Sequence, residues 1–218
     1  MHLPISPRLL ACAQFIRPGE TVADVGCDHG YLGIHLLQIG IAKRILAADI
    51  NEGPLLSAQR NARKYGVAEK MTFHLSAGVV DVPRGFDVMV CAGMGADTMI
   101  SILENAPWLQ SKQYRLILQC QSKTPLLRRY LSEHGWYIDK ESVLRDGRFL
   151  YTVMEVLFAP GRPRLTTAQC HFSPALQEYP SPEAKEYLQR IVGGLRLSLS
   201  HKDDLEKRQV LEKLEELL

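Results

Sequence analysis

Val22-Ala-Asp-Val-Gly-Cys-Asp-His-Gly-Tyr-Leu32 decides the fold of this chain. A β-prone run ends at Asp24-x-Gly26, a short loop follows through Cys27, Asp28, His29 and Gly30, and an apolar helix opens at about Tyr31. Strand, glycine turn and helix in that order open a nucleotide-type α/β fold. A dinucleotide loop reads G-x-G-x-x-G and turns its amides toward a pyrophosphate at the helix N-terminus. Here the glycines are Gly26 and Gly30, with Asp28 between them and Asp24 just before. Two carboxylates at that turn repel a pyrophosphate and suit a cationic ligand without phosphate. S-adenosylmethionine, with its ammonium and sulfonium, is such a ligand.

The pattern continues on both sides of this turn. Ser6 caps and Pro7 starts a first helix that ends by Pro18-Gly19. Strands are expected at 21–25, 44–49, 71–75, 86–91 and 115–119, with helices at 31–39, 53–65, 96–105 and 125–134 between or after them. Short β-rich runs alternating with helices predict a parallel sheet covered on both faces. The alternation then stops. Runs 136–144 and 149–158 are joined by Arg145-Asp-Gly-Arg148, a hairpin signal. The expected fold is α/β: five parallel units closed by an antiparallel hairpin, the Rossmann-like plan of a methyltransferase. An ordinary dinucleotide fold carries a sixth parallel strand instead.

Pro160-Gly-Arg-Pro163 reads as a linker, dividing a cofactor-binding domain, residues 1–160, from a helical segment, residues 164–218. Leu188, Ile191, Val192, Leu195 and Leu199 share one face of a helix that starts at Pro182. A second stripe runs through Leu205, Leu211, Leu214 and Leu218, so a coiled-coil-like helical hairpin with a hinge near residues 200–202 is expected.

Composition narrows the class. The chain has 218 residues, 46% hydrophobic and 23% charged, enough for one sizeable α/β domain and a small appendage. No apolar run reaches the length of a membrane span and no signal-peptide pattern opens the chain, which predicts a cytoplasmic protein without a membrane partner. The five cysteines are scattered and odd in number, and the seven histidines form no ligand-spaced pair, so neither a disulfide framework nor a metal site is expected. A net charge of +2 gives no bulk electrostatic footprint for nucleic acid. Any such contact must come from a local basic rim, for which Arg128, Arg129, Arg145, Arg148, Arg162 and Arg164 are the candidates.

Asp49 ends the second strand, where an acid accepts bonds from ribose hydroxyls. Ile50, Asn51, Gly53 and Pro54 follow it, and Asn51 also fits the cap position of the next helix. Cys91-Ala92-Gly93-Met94-Gly95 follows the fourth strand, at the carboxyl ends of the strands where ligands bind in such sheets. Methyltransferases acting on exocyclic amines often carry Asn/Asp-Pro-Pro-aromatic at that point. Its absence here favours a ring nitrogen, oxygen or carbon as acceptor.

Taken together, Ile5-Ser-Pro-Arg-Leu9, Ala23-Asp-Val-Gly-Cys-Asp-His-Gly-Tyr-Leu32, Glu52-Gly-Pro54, Ala92-Gly-Met-Gly95, Leu116-Ile-Leu-Gln119 and Asp146-Gly147…Tyr151 make the chain resemble the bacterial tRNA (adenine-22-N1)-methyltransferases. The resemblance covers about residues 3–160 and, more loosely, the helical tail. It implies S-adenosylmethionine as cofactor, tRNA as partner and adenine N1 as methyl acceptor, in a chain expected to be a monomer. It places Asp24, Gly26, Cys27, Asp28, Gly30, Tyr31, Asp49, Ile50, Asn51, Gly53, Pro54, Ala77, Gly78, Cys91, Ala92, Gly93 and Met94 around the cofactor. Arg8, Gly95, Gln119, Arg128, Arg129, Arg145, Arg148 and Tyr151 fall to the tRNA. Asp28 stabilises charge on the base or orients the cofactor's ammonium, and His29 beside it is a candidate for proton transfer. Three positions depart from the family. Ser76-Ala77-Gly78 stands where Gly-Asp-Gly is common, Ala96 replaces a second glycine, and Gln119-Cys120 replaces Gln-Pro. Two other readings compete: methylation of a small molecule, and a non-catalytic nucleotide-binding module working through its tail.

Overall fold

The structure is a computed structural model, and it describes residues 3–218. Its centre is a seven-stranded sheet in the order β3-β2-β1-β4-β5-β7-β6. Strands β1 (Thr21–Val25), β2 (Arg44–Asp49), β3 (Met71–Leu75), β4 (Val88–Met94) and β5 (Arg115–Cys120) run parallel. The hairpin β6 (Trp136–Asp146) and β7 (Phe149–Phe158) closes the sheet, with β7 inserted antiparallel between β5 and β6. β1 and β5 are buried along their whole length, as the continuous apolar runs require when helices cover both faces.

The helices are α1 (Pro7–Ala13), α2 (Tyr31–Gln38), α3 (Glu52–Lys64), α4 (Ala96–Glu104) and α5 (Thr124–Glu133), followed by α6 (Thr167–His171), α7 (Pro174–Glu178), α8 (Pro182–His201) and α9 (Leu205–Glu215). One core joins α4 and α5 to the sheet through Met99, Leu103, Leu127 and Leu131. Another packs α1, α2 and α3 on the opposite face through Cys12, Leu32, Leu36, Leu55 and Ala58. A third lies under the tail, where Phe172, Leu176, Leu188, Val192, Leu195, Val210 and Leu214 close over Val143 of β6.

Two expectations change here. The fourth strand starts at Val88 rather than Phe86 and continues through Ala92 to Met94, with an irregular register against β5 between Ala92 and Met94. The tail begins with two one-turn helices before its long pair. α6 carries a capping box between Thr166 and Gln169, and α7 has Ser173 as cap with Pro174 in its first turn. The long helices pack on each other, tied by Arg196–Glu215 and by Lys207 donating to Ser198.

Arg128 corrects the sequence reading. It is fully buried, not part of a basic rim. Its guanidinium pairs with Glu141 at 2.7 Å and donates to the carbonyls of Cys170 and His171 at 2.8 and 2.9 Å. Ser173 donates to the other Glu141 oxygen at 2.5 Å. Burial alone would disfavour the charged guanidinium, but Glu141 and Tyr187 outweigh it and hold the proton in place. Every element of this ion pair is therefore spent inside the protein, between α5, β6 and the start of the tail.

Candidate functional site

A cavity of about 980 Å³ opens at the carboxyl ends of β1, β2 and β4. That is the crevice where the strand order reverses about β1, the usual ligand site of an open α/β sheet. Its walls include Asp24, Gly26, Cys27, Asp28, His29 and Tyr31 from the first turn, then Asp49, Ile50, Asn51 and Pro54. Ala77 and Gly78, Ala92 to Met94, Gln119 and Arg8 complete the residues expected from the sequence that it brings together. Gly30, Gly53, Cys91, Gly95 and Tyr151 do not line it. Gly30 instead forms the αL start of α2, and Gly95 the cap position of α4.

Four amides of the first turn are already engaged. The amides of Gly26 and Cys27 both donate to the Ala48 carbonyl, at 2.8 and 3.0 Å. The Asp28 amide donates to Asp49 Oδ2 at 3.3 Å, and the Gly30 amide to the Cys27 carbonyl at 2.7 Å. With these donors spent inside the turn, a pyrophosphate would find few to replace its water. Asp28 completes the turn at φ 48°, a left-handed conformation that Asp tolerates better than most residues. Gly26, at φ 71°, lies in the same left-handed region, which favours glycine, and an added Cβ would displace the Met94 methyl group that borders the cavity.

The three acids differ sharply. Asp24 is buried, and its Oδ2 has no hydrogen-bond partner. Burial, and secondarily Asp49, push its pKa up to about 7, although the Gly33 amide works the other way. A buried carboxylate oxygen without a partner is costly, and this one lies on the cavity wall. Asp49 already accepts the Asn51 amide at 2.9 Å on Oδ1 and the Asp28 amide on Oδ2, which aims the carboxylate while leaving lone pairs for hydroxyl donors. Asp28 is the open one: its side chain is 71% exposed, with Oδ1 3.7 Å from His29 Nε2. His29 in turn tilts over Tyr31, ring centroids 5.4 Å apart. Asn51 occupies the cap position of α3 without a side-chain capping bond, so the capping role is not what its side chain supplies.

Beside the first turn, the β4 loop is braced. Fully buried Gln119 accepts the Gly93 amide at 2.9 Å and donates to the Cys120 carbonyl at 3.3 Å, so it holds the Gly93-Met94 turn in place. Sequence reading assigned no site role to Ser6, Leu9 or Gln121, or to the α4 residues Asp97, Thr98, Ser101, Ile102 and Asn105, which also line the wall. Only the i, i+3 and i, i+4 spacing of α4 could have placed those together. Ser76-Ala77-Gly78 brings no acid to this wall. Ser76 is buried and takes the Asp81 amide, and Gly78 sits at φ 72° with Ile102 against it.

The arginines expected at the rim lie elsewhere. Arg129 faces Glu206 at 3.8 Å, Arg145 pairs with Glu186, and none of Arg128, Arg129, Arg145 and Arg148 lines the cavity. Among the described residues, no group of three or more His, Cys, Asp or Glu is placed to hold a metal ion, and no helix is long and apolar enough to cross a membrane.

A parallel sheet closed by an inserted antiparallel strand, with an acidic first turn over a switch-point cavity, defines the methyltransferase class of α/β folds. The chain belongs to the methyltransferase domain family, whose model matches residues 5–154. It is 30% identical over 154 residues to the tRNA (adenine(22)-N(1))-methyltransferase of Bacillus subtilis, a match covering 70% of this chain and 65% of that one. It is 31% identical over 127 residues to the ribosomal protein L11 methyltransferase of Thermotoga maritima, covering 57% and 47%. The matched stretch thus spans less than two thirds of each of these relatives. In three dimensions it is similar to the Streptococcus pneumoniae protein Sp1610, described as a candidate tRNA (m1A22) methyltransferase and solved with S-adenosyl-L-methionine. That likeness has a TM-score of 0.87 at 30% identity, over 98% of this chain and 99% of that one.

Proposed function

We propose that this chain methylates N1 of an adenine, at position 22, in tRNA, with S-adenosylmethionine as methyl donor. The observation that carries the reading is the buried, unpartnered Asp24 oxygen beside a turn four of whose amides are already engaged. This wall suits a nucleoside with a cationic tail and disfavours a pyrophosphate. The names of the Bacillus relative and of Sp1610 support the choice of substrate.

In this reading Asp24 accepts the ammonium and Asp49 the ribose hydroxyls, while Ala77, Gly78 and Ile102 flank the base. S-adenosylmethionine supplies an electrophilic methyl group. Adenine N1 carries an in-plane lone pair and needs no deprotonation, so the protein's work is positioning and charge. The braced Gly93-Met94 turn holds the acceptor's side of the cavity. The exposed Asp28 carboxylate stands at the mouth, where it stabilises the positive charge that develops on the base, and His29 beside it is within reach to accept a proton from N6. N1 lies on the Watson–Crick edge, so the target base enters unpaired.

The test is labelled S-adenosylmethionine with unmodified tRNA, followed by nucleoside analysis. N1-methyladenosine at a single position is expected. Binding of the cofactor without transfer to any RNA would leave a non-catalytic module, and transfer only to small molecules would replace the substrate. Asp28→Asn keeps a residue at ease with positive φ and removes only the charge. It should leave cofactor affinity within about twofold and slow transfer by about 100-fold, the scale of a single acid–base or charge-stabilising group. An undiminished rate would remove Asp28 from the chemistry.

The division of labour between residues 1–160 and 164–218 belongs to the same proposal, with the tail as a tRNA-positioning element and the chain as a cytoplasmic monomer. Three of the tail's arginines are already engaged, because Arg190, Arg196 and Arg208 are each paired with an acid of the tail itself. In this reading α6 and α7 join the two parts, since they complete the Arg128–Glu141 pair from the tail's side.

A further inference from the structure

The tip of the β6–β7 hairpin carries a surface that the reaction above leaves unused. Phe149 is 50% exposed there, immediately after the turn at Gly147 and Arg148. A half-exposed phenylalanine on a tight turn gains little from folding. Its neighbours are arginine and tyrosine. The Arg148 guanidinium lies 5.0 Å from its ring centroid, and the Tyr151 ring lies 6.0 Å away. The Arg8 guanidinium lies 5.5 Å from the Tyr151 centroid, and Arg8 is itself part of the cavity wall. Rings and guanidinium groups therefore run in unbroken contact from the cavity to the hairpin tip.

The tip is held in place. Arg8 Nε donates to Asp146 at 2.8 Å, Arg145 pairs with Glu186 of α8, and Arg190 donates to the Arg148 carbonyl at 3.0 Å. Arg8, Arg145, Arg148 and Arg190 outnumber the acids they meet here, Asp146, Glu183 and Glu186. An exposed ring beside cations offers a face to a base and a charge to a phosphate. That is the chemistry of surfaces that hold unpaired nucleic acid.

We propose that Phe149 is a positioning residue that stacks an unpaired nucleobase near the one entering the cavity, with Arg148 meeting a backbone phosphate. The proposal rests on the RNA-methylating reading and adds where the strand lies: across the hairpin tip, over Tyr151 and Arg8, into the cavity. An unpaired base is required, since only then is a face free to stack.

Full-length Phe149→Ala, Phe149→Trp and Arg148→Ala variants test it through binding of unmodified tRNA, steady-state kinetics and S-adenosylmethionine affinity. Phe149→Ala should raise both the tRNA Kd and KM about tenfold, the usual scale for one lost base stack. Its kcat and cofactor Kd should stay within about twofold, and Phe149→Trp should restore tRNA binding. Arg148→Ala should lower the slope of log affinity against log salt by about one. Unchanged tRNA binding in Phe149→Ala would overturn the proposal. So would a weakened cofactor Kd or failure of Trp to rescue, either of which would make the residue structural. The two readings separate in the wild type. Phe149-dependent RNA binding without N1-methyladenosine would sink the reaction and spare the platform.

Discussion

Asp24→Asn should weaken S-adenosylmethionine binding by at least ~30-fold, the minimum expected when one partner of a buried charge pair is neutralised. The asparagine keeps the shape of the side chain and offers an amide where the ammonium needs a carboxylate. The same substitution should make the empty protein more stable at neutral pH. The folded protein holds the Asp24 proton up to about pH 7, while an unfolded chain releases it near 3.8. Between those values the folded state binds more protons, so stability falls as pH rises from about 4 to about 7 and then levels off. The cause is burial, which disfavours the carboxylate, and the total loss is on the order of a few kcal/mol. Asp24→Asn removes this slope. Ligand binding runs the opposite way, because an ammonium needs the ionised carboxylate and its affinity should decline below pH 7. Denaturant unfolding at pH 5 and pH 8, with calorimetry at both, reads the two trends. Unaltered cofactor affinity in Asp24→Asn would mean that the cation is held elsewhere.

Arg128→Ala should cost about 3–5 kcal/mol of stability, because it strands the buried Glu141 carboxylate and two tail carbonyls. A residue that met tRNA on the surface would show the reverse: normal unfolding and impaired RNA binding. Replacing both partners by apolar residues should recover part of the loss, since the stranded charge is then gone. Urea unfolding of the two variants decides between these roles. A wild-type midpoint for Arg128→Ala would show that the pair contributes nothing to the fold.

That arginine also shows where sequence reading reached its limit. The elements that carry strong local signals were legible. β1, β2 and β3 fall on the expected residues, since each is a β-rich run bounded by turn formers. The acidic turn was legible as well, because its meaning lies in residue type and spacing. What failed depends on distant partners. An Arg128-Arg129 pair on a helix reads as a wet surface, and nothing near it announces Glu141, Ser173 or the carbonyls at 170 and 171. The α4 wall of the cavity was read only as a helix, because its role comes from packing beside β4. α6 and α7 are too short for any periodicity to appear, although the Thr166–Gln169 capping box marked the first of them. The acids were legible as residues of one turn, but their surroundings were not. Only burial separates Asp24, closed in and unpartnered, from Asp28, open at the mouth.

The network around Arg128 also bears on the order in which the protein becomes complete. Arg128 and Glu141 are synthesised before the residues that finish their hydrogen bonding, at Cys170, His171 and Ser173. While the chain emerges from a ribosome, the sheet can pair through β7, but it must hold two charges in a half-satisfied niche until another turn or two of helix arrives. The last strand is thus not the last step of assembly. The segment after it acts as the closing latch of the sheet domain, and a chain released before that point carries every residue of the cavity wall without the partners that complete the Arg128–Glu141 pair.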